Sequence, residues 1–374
     1  MEVSQARSRP EFGVFLPVAK NGFIWSTKSP AYAPSFDDQL RITTLAEDIG
    51  LDYVFSMMKW RGFGGETEFW DSSLDSFSLT PALAARTSRI KLIATVCPLL
   101  VHPTVMAKMS ATVQEMSGGR LGLNIVTGAM LAEYSQMGVV PPDYDEHRYQ
   151  YASEWVQALK ALWREDSVDF RGTYFNLEDC VSEPKPKPEP FLVCAGTSEE
   201  GLRFTAREAD YGFLSRTAVA TLREVGDRMR EIAAEEGTDV KTAAPVLVVL
   251  KSSESEAMDW WRELQSGVDM RCNLNIAERL SGTGSAREKG RALVAEVASD
   301  SEKISMFKPV LGGPAEVTEQ LEAMVSVGGL ESICLVFPDY VEGLERFGEE
   351  VLPHLRHAVG EGTTGGRGAP SSTS

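Results

Sequence analysis

The sequence predicts an α/β protein, a closed (β/α)8 TIM barrel with insertions. Three observations carry this. Eight short apolar runs rich in β-branched residues recur along the 374 residues, stretches of 3.6-residue periodicity separate them, and the runs are apolar throughout. Strands covered by helices outside and by packed side chains inside lose the alternation of a half-solvated sheet. A closed parallel barrel therefore fits best, and a doubly wound open sheet is the alternative.

In order, the runs are FGVFLPV from Phe12, YVFSMMK from Tyr53, KLIATVCPL from Lys91, RLGLNIVTG from Arg120, FLVCAGTS from Phe191, DYGFLS from Asp210, APVLVVLKS from Ala244 and ESICLVFPD from Glu331. Between the first two lies a helix with Ser35 as N-cap, Asp38 in its first turn and Gly50 at its end. Another begins at His102 with Pro103 in the first turn and stops at Gly118–Gly119. A helix near Ser72 follows the second run.

Two insertions interrupt the alternation, around 165–190 and 258–305. In the first, DFRGTYFNLEDC from Asp169 reads as a hairpin, and PKPKPEP (184–190) as a stiff connector rather than a polyproline ligand. The second reads as extra helices and a mobile loop. The expected organisation is a flexible N-terminus (1–10), one barrel domain with its insertions (11–358) and a disordered tail (359–374).

A net charge of -17 repels a phosphate backbone, and the only cluster of lysines is the Pro-rich connector, so nucleic acid is excluded as a partner. No run approaches the ~18 apolar residues of a membrane span, and the N-terminus lacks a basic segment followed by a long apolar one. The expectation is a cytoplasmic protein without a membrane partner. Five scattered cysteines with no C-x-x-C pair, and four histidines with no H-x-x-x-H spacing, leave few ligands for a metal, and none is expected.

In a barrel of this kind the chemistry sits where strands end. CAGTSEEG places Gly196, Thr197 and Ser198 at a strand end opening a helix, a pattern that suits a phosphate or ordinary capping equally. Thr95 and Asn124 end otherwise apolar strands and must find partners if buried, in the core or in a site. KWRGFGGETEFWD, from Lys59, could cradle a phosphate, cover a site or make a turn. It is not a dinucleotide fingerprint, because Thr67 stands where the last glycine belongs.

Taken together, SMMKWRGFGGETEFWD, MSGGRLGLNIVTG, AEYSQMG, RYQY, DFRGTYFNLEDC, CAGTSEEG and LERFGEEVLP resemble the bacterial luciferase-like flavin-dependent monooxygenases, and within them the pyrimidine (uracil ring-opening) branch. The matching pieces run in order from Phe12 to about Leu355.

The resemblance implies a two-component enzyme. Reduced FMN comes from a separate NAD(P)H:flavin reductase, O2 is the co-substrate, and a flavin peroxide oxidises or cleaves an amide-like or heterocyclic small molecule. It places Met58, Lys59, Asn124, Glu133, Arg148, Tyr149, Gly196, Thr197 and Ser198 at the cofactor, with Arg148 and Ser198 at its phosphate. Thr95 and Asn124 would hold and activate dioxygen. Phe55, Trp60, Arg61, Phe63, Ala129 and Met130 would line the substrate pocket, and Lys59's loop becomes a wall rather than a phosphate cradle.

One departure stands out: the pyrimidine branch carries a Trp after VTG, where this chain has Ala129 and then Met130. A lost indole enlarges or reshapes the pocket. Alternatives within the fold are a sulfone or alkanesulfonate monooxygenase and a deazaflavin (F420)-dependent dehydrogenase. Outside catalysis, the alternative is a structural barrel. A homodimer or homotetramer is expected from the family.

Overall fold

In the computed structural model, residues 9–128, 130–196, 198–214, 218–280 and 302–357 are described. Residues 1–8, Ala129, Thr197, 215–217, 281–301 and 358–374 lie outside them, and with them the readings made on the two ends of the chain, on part of the second insertion, and on Ala129 and Thr197.

The eight predicted runs form the barrel: β1 (Glu11–Leu16), β2 (Tyr53–Ser56), β3 (Lys91–Val96), β4 (Leu121–Ile125), β7 (Phe191–Cys194), β8 (Tyr211–Phe213), β9 (Lys241–Leu250) and β11 (Ser332–Val336). Every ladder between them is parallel, in the order β11-β1-β2-β3-β4-β7-β8-β9. β9 closes the ring by pairing β8 through Phe213↔Ala243 and β11 through Ser332↔Ala243. Helices cover the outside, among them Phe36–Asp48, Pro103–Ser117, Tyr144–Arg164 and Val219–Glu236.

The hairpin of the first insertion is present as β5 (Val168–Arg171) and β6 (Asn176–Cys180), an antiparallel pair. The second insertion supplies helices Glu254–Gln265 and Met270–Leu280. One strand is additional to the sequence reading: β10 (Pro309–Gly312) pairs in parallel with the last four residues of β9. Its apolar core is only Val310 and Leu311, set between Pro309 and Gly312, which is less than the runs that marked the barrel strands.

Local signals behave as their chemistry requires. Ser35 Oγ accepts from Asp38 N, and Gly118 takes a left-handed φ of 65° after the helix that Pro103 begins. The helix after β2 starts at Ser76 rather than near Ser72, because Asp75 is the residue whose side chain accepts from the first turn, at Ser78 N.

Inside, inward-facing residues stack in layers, with Phe15, Phe55 and Phe213 in mutual contact at centroid distances of 4.8–5.9 Å. Outside, Trp155 and Trp163 of helix Tyr144–Arg164 are buried against the strands and helix Pro103–Ser117. The indole of Trp155 donates to Val101 O at 2.8 Å and that of Trp163 to Ser110 Oγ at 3.0 Å, so each large apolar body is buried with its one polar atom satisfied.

The turn into β3 hangs on Glu47 of helix Phe36–Asp48. Its carboxylate accepts from Ser88 N, Arg89 N and Ile90 N at 2.8–3.1 Å and from Ser88 Oγ at 3.2 Å. Partial burial works against ionisation, but these donors outweigh it and take the carboxyl from 4.5 down to about 2. A carboxyl depressed in the folded state stabilises fully above its unfolded value and loses that contribution as pH falls toward the folded one. Glu47→Gln should therefore lower stability by about 1 kcal/mol at neutral pH, screening included. In urea unfolding the gap to the wild type should close between pH 4.5 and about 2.

Candidate active site

Parallel strands present all their C-terminal ends on one face, and β2, β3, β4 and β7 are neighbours there. Thr95 of β3 and Asn124 of β4 sit opposite each other in the ladder. Both are at least 96% buried. Asn124 Nδ2 donates to Thr95 Oγ1 at 3.0 Å, and Thr95 Oγ1 donates to Ser56 O at 2.6 Å. Ser76 Oγ accepts from Thr95 N at 2.8 Å and donates to Ser56 O at 2.9 Å, so a serine from the next helix braces the threonine.

This network consumes the single hydroxyl proton of Thr95 but leaves Asn124 one N–H and its whole carbonyl. Asn124 Oδ1 is buried with no hydrogen-bond partner. An orphaned acceptor costs about 1–3 kcal/mol, a deficit that a ligand N–H would remove.

Next to them, the loop after β2 and the short helix Ala132–Ser135 after β4 meet through an ion pair between Lys59 Nζ and Glu133 Oε1. The side chains are only 3% and 8% exposed. Glu133 Oε2 also accepts from Trp60 N at 3.0 Å. The ammonium lies 4.4 Å from the Phe63 ring centroid, 5.2 Å from that of Trp70 and 3.4 Å from Met130 Sδ. Burial pushes its pKa down, Glu133 opposes that, and Arg279 adds to it.

On the β7 side, Ser198 is the N-cap of helix Glu199–Glu208, its Oγ accepting from Gly201 N at 3.1 Å. Tyr149, from helix Tyr144–Arg164, brings its hydroxyl to 3.4 Å from Ser198 Oγ. The guanidinium of Arg148 lies 5.2 Å from the Tyr149 ring and is only weakly engaged, by Asp145 at 3.5 Å. A Cβ on Gly201 would fall 2.7 Å from the Tyr149 hydroxyl, and one on Gly196 would fall 3.1 Å from Gly201 Cα. The cradle is thus kept open by two glycines, with a helix N-terminus and an arginine at its edge.

The substrate-side residues divide. Trp60, 45% exposed, and Arg61 stand at the rim, and Met130 lies against Lys59. Met58 is half-buried against the Cys97 cluster beyond β3. Phe55 is a barrel-interior residue stacked on Phe213. Phe63 is fully buried between the loop and Trp70, with its ring toward the Lys59 ammonium. In the sequence Ser56 stood at a strand end and Gly201 at the opening of a helix without a role of their own, while Ser76 becomes visible only in three dimensions.

A flavin-dependent monooxygenase is the class that this barrel and site define. The family described as luciferase-like monooxygenase matches residues 11–331, and the chain belongs to it. It is 38% identical over 349 residues to pyrimidine monooxygenase RutA of Acinetobacter baylyi, covering 92% of this chain and 94% of that one. Against RutA of Methylorubrum extorquens strain PA1 the identity is 38% over 357 residues, with 93% and 95% covered. Among solved structures, a riboflavin lyase crystallised with modified FMN and riboflavin superposes with a TM-score of 0.84, covering 94% of this chain and 92% of that one. At 23% identity this is a likeness of fold.

Gly201→Ala tests the cradle. The added methyl would crowd Tyr149 and Ser198, and FMN affinity measured by fluorescence quenching should fall about tenfold or more, equivalent to ~1.4 kcal/mol.

Proposed function

We propose that the protein takes reduced FMN from a separate NAD(P)H:flavin reductase and uses O2 to oxidise or cleave an amide-like or heterocyclic small molecule. The observation that carries the reading is the pairing, on one barrel face, of a buried polar couple with an orphaned acceptor (Thr95–Asn124) and a glycine-lined anion cradle (Arg148, Tyr149, Ser198). A flavin mononucleotide has both halves of the complement: a planar ring with N–H and carbonyl edges, and a terminal phosphate.

The residues fit. Ser198 and Arg148 would hold the phosphate, with Tyr149 between them. Met58, Lys59, Glu133 and Asn124 would meet the ring. When bound, reduced flavin supplies the electrons that activate dioxygen. The chain's own contribution is placement. Thr95, locked to Ser56 O, orients Asn124, which keeps one N–H and its carbonyl uncommitted. Phe15, Phe55 and Phe213 keep the barrel beneath it dry, and Lys59 holds a fixed charge at its edge.

The pyrimidine monooxygenases among the relatives support a planar, amide-containing substrate. Met130 beside Lys59 presents a flexible thioether to it, which suits a ring other than uracil itself.

Anaerobically reduced FMN should bind, and oxygen uptake should accompany product formation with a member of a panel of uracils, cyclic amides and sulfones, identified by mass. Asn124→Ala should cut turnover about a hundredfold, the scale of one lost preorganised contact. Hydride transfer from a reduced deazaflavin without oxygen consumption would overturn the reading.

A further inference from the structure

A cavity of about 200 Å³ opens on the same barrel face as the site described above and shares no residue with it. It lies where β1 and β11 end, between helix Phe36–Asp48 and helix Tyr340–Glu350, and residues of the loop from Asn21 to Tyr32 line one side. Pro17, Ile24, Ile42, Phe337, Pro338 and Tyr340 make most of the wall apolar.

Three polar side chains on that wall keep bonding capacity to spare. The Tyr32 hydroxyl accepts from Gln39 Nε2 at 2.6 Å, which leaves its own proton without an acceptor among the described residues. Gln39 is fully buried, and its Nε2 also donates to Pro17 O at 3.1 Å, so the phenol is held from behind. Burial first, and then the nearby Asp38 carboxylate, push the phenol's pKa up and keep it a donor. Arg41 makes no hydrogen bond or ion pair among the described residues, although Asp38 stands three places earlier on the same helix, a spacing at which opposite charges can meet. Asp38 gives one carboxylate oxygen to Ser35 Oγ at 2.6 Å and has the other to offer. The second carboxylate of the cavity, Asp339, is occupied in capping Val341 N and Glu342 N at 3.1 Å.

A ligand with a carbonyl for Tyr32 and Arg41 and an N–H for Asp38 would meet all three groups. A neutral ring amide does this without bringing a net charge against a largely apolar wall, as a carboxylate or an ammonium would. We propose that this cavity is a second small-molecule site, separate from the flavin site, and that it takes a neutral cyclic amide.

The wall of this cavity also holds the loop from Lys59 to Asp71. Trp70 Nε1 donates to Gly22 O at 2.5 Å, Asn21 Nδ2 donates to Thr67 O at 2.5 Å, and Asn21 Oδ1 accepts from Tyr32 N at 2.9 Å. Trp70 is the indole 5.2 Å from the Lys59 ammonium. From its other side the loop is pinned by the second insertion: Asp269 accepts from Thr67 N and Oγ1 at 2.7 and 2.8 Å, Asn275 Nδ2 donates to Phe63 O at 2.6 Å, and Arg279 Nη1 donates to Gly62 O. An occupant resting on Asn21 and Tyr32 thus bears on a loop clamped at both sides, with Lys59 at its start.

Isothermal titration of the full-length protein with 2-piperidone, a neutral lactam, tests the proposal, once flavin-free and once saturated with oxidised FMN. Binding should appear in both. Tyr32→Phe and Asp38→Ala should each raise the Kd about tenfold, the scale of one lost hydrogen bond. Ala31→Trp, which adds an indole at an exposed position on the cavity wall, should abolish binding and leave FMN affinity unchanged, with thermal unfolding confirming that each variant folds. Lactam that FMN displaces, or that still binds Ala31→Trp or Tyr32→Phe as well as the wild type, sits elsewhere, and the site is then refuted. Tighter binding of 5-aminovalerate, the ring-opened zwitterion, would refute the ligand class. The inference does not rest on the flavin reading, because the flavin-free titration stands whether or not FMN binds.

Discussion

A lysine ammonium and a glutamate carboxylate, both almost out of water, join the loop after β2 to the helix after β4. Removing two charges from water costs several kcal/mol each unless their remaining hydrogen-bonding capacity is met nearby. Here it is met by Trp60 N on the glutamate and by the faces of Phe63 and Trp70 on the lysine. Because β3 lies between β2 and β4, the pair spans the strand that carries Thr95. Rim loop and short helix are consequently tied across the strand that bears the Thr95–Asn124 couple, by this pair together with the Trp60 N–Glu133 hydrogen bond.

The two ends of the site contrast in ways that suit a two-part ligand. At one end Thr95, Asn124, Lys59 and Glu133 are all buried and polar capacity is rationed: one hydroxyl proton already spent, one amide oxygen waiting. At the other, Ser198 is exposed and Arg148 half-open, so a hydrated anion can enter without shedding its whole shell at once. Burial is concentrated where chemistry needs dryness, and access where binding needs speed.

How much of this the sequence disclosed follows from the range of each interaction. The barrel strands announced themselves because burial on both faces is written as local apolar runs, and Thr95 and Asn124 stood out as polar residues ending such runs. Phe63 was assigned to the wall of the substrate pocket, but its full burial could not be read from its own loop. Its burial depends on Lys59, Trp70 and Arg279, the last more than two hundred residues away. β10 was missed because its two apolar residues stand between a proline and a glycine, and its pairing with β9 is what makes it a strand. Asp269, Asn275 and Arg279 lay in a polar stretch read as extra helices and a mobile loop, with no sign of the partners they reach.

That short strand has an architectural consequence. β9 runs past the barrel rim, and its last four residues take β10 as a parallel neighbour, with Lys251 N donating to Gly312 O at 3.0 Å where the chain leaves. The excursion carrying the Arg279 helix thus departs and returns through one hydrogen-bonded base. Once such a base is closed, lengthening the chain beyond it costs only a slowly growing entropy. The barrel can tolerate a wholesale exchange of that excursion as a cassette, making it the natural place for lineages of this fold to vary what surrounds the cofactor while the sheet beneath stays unchanged.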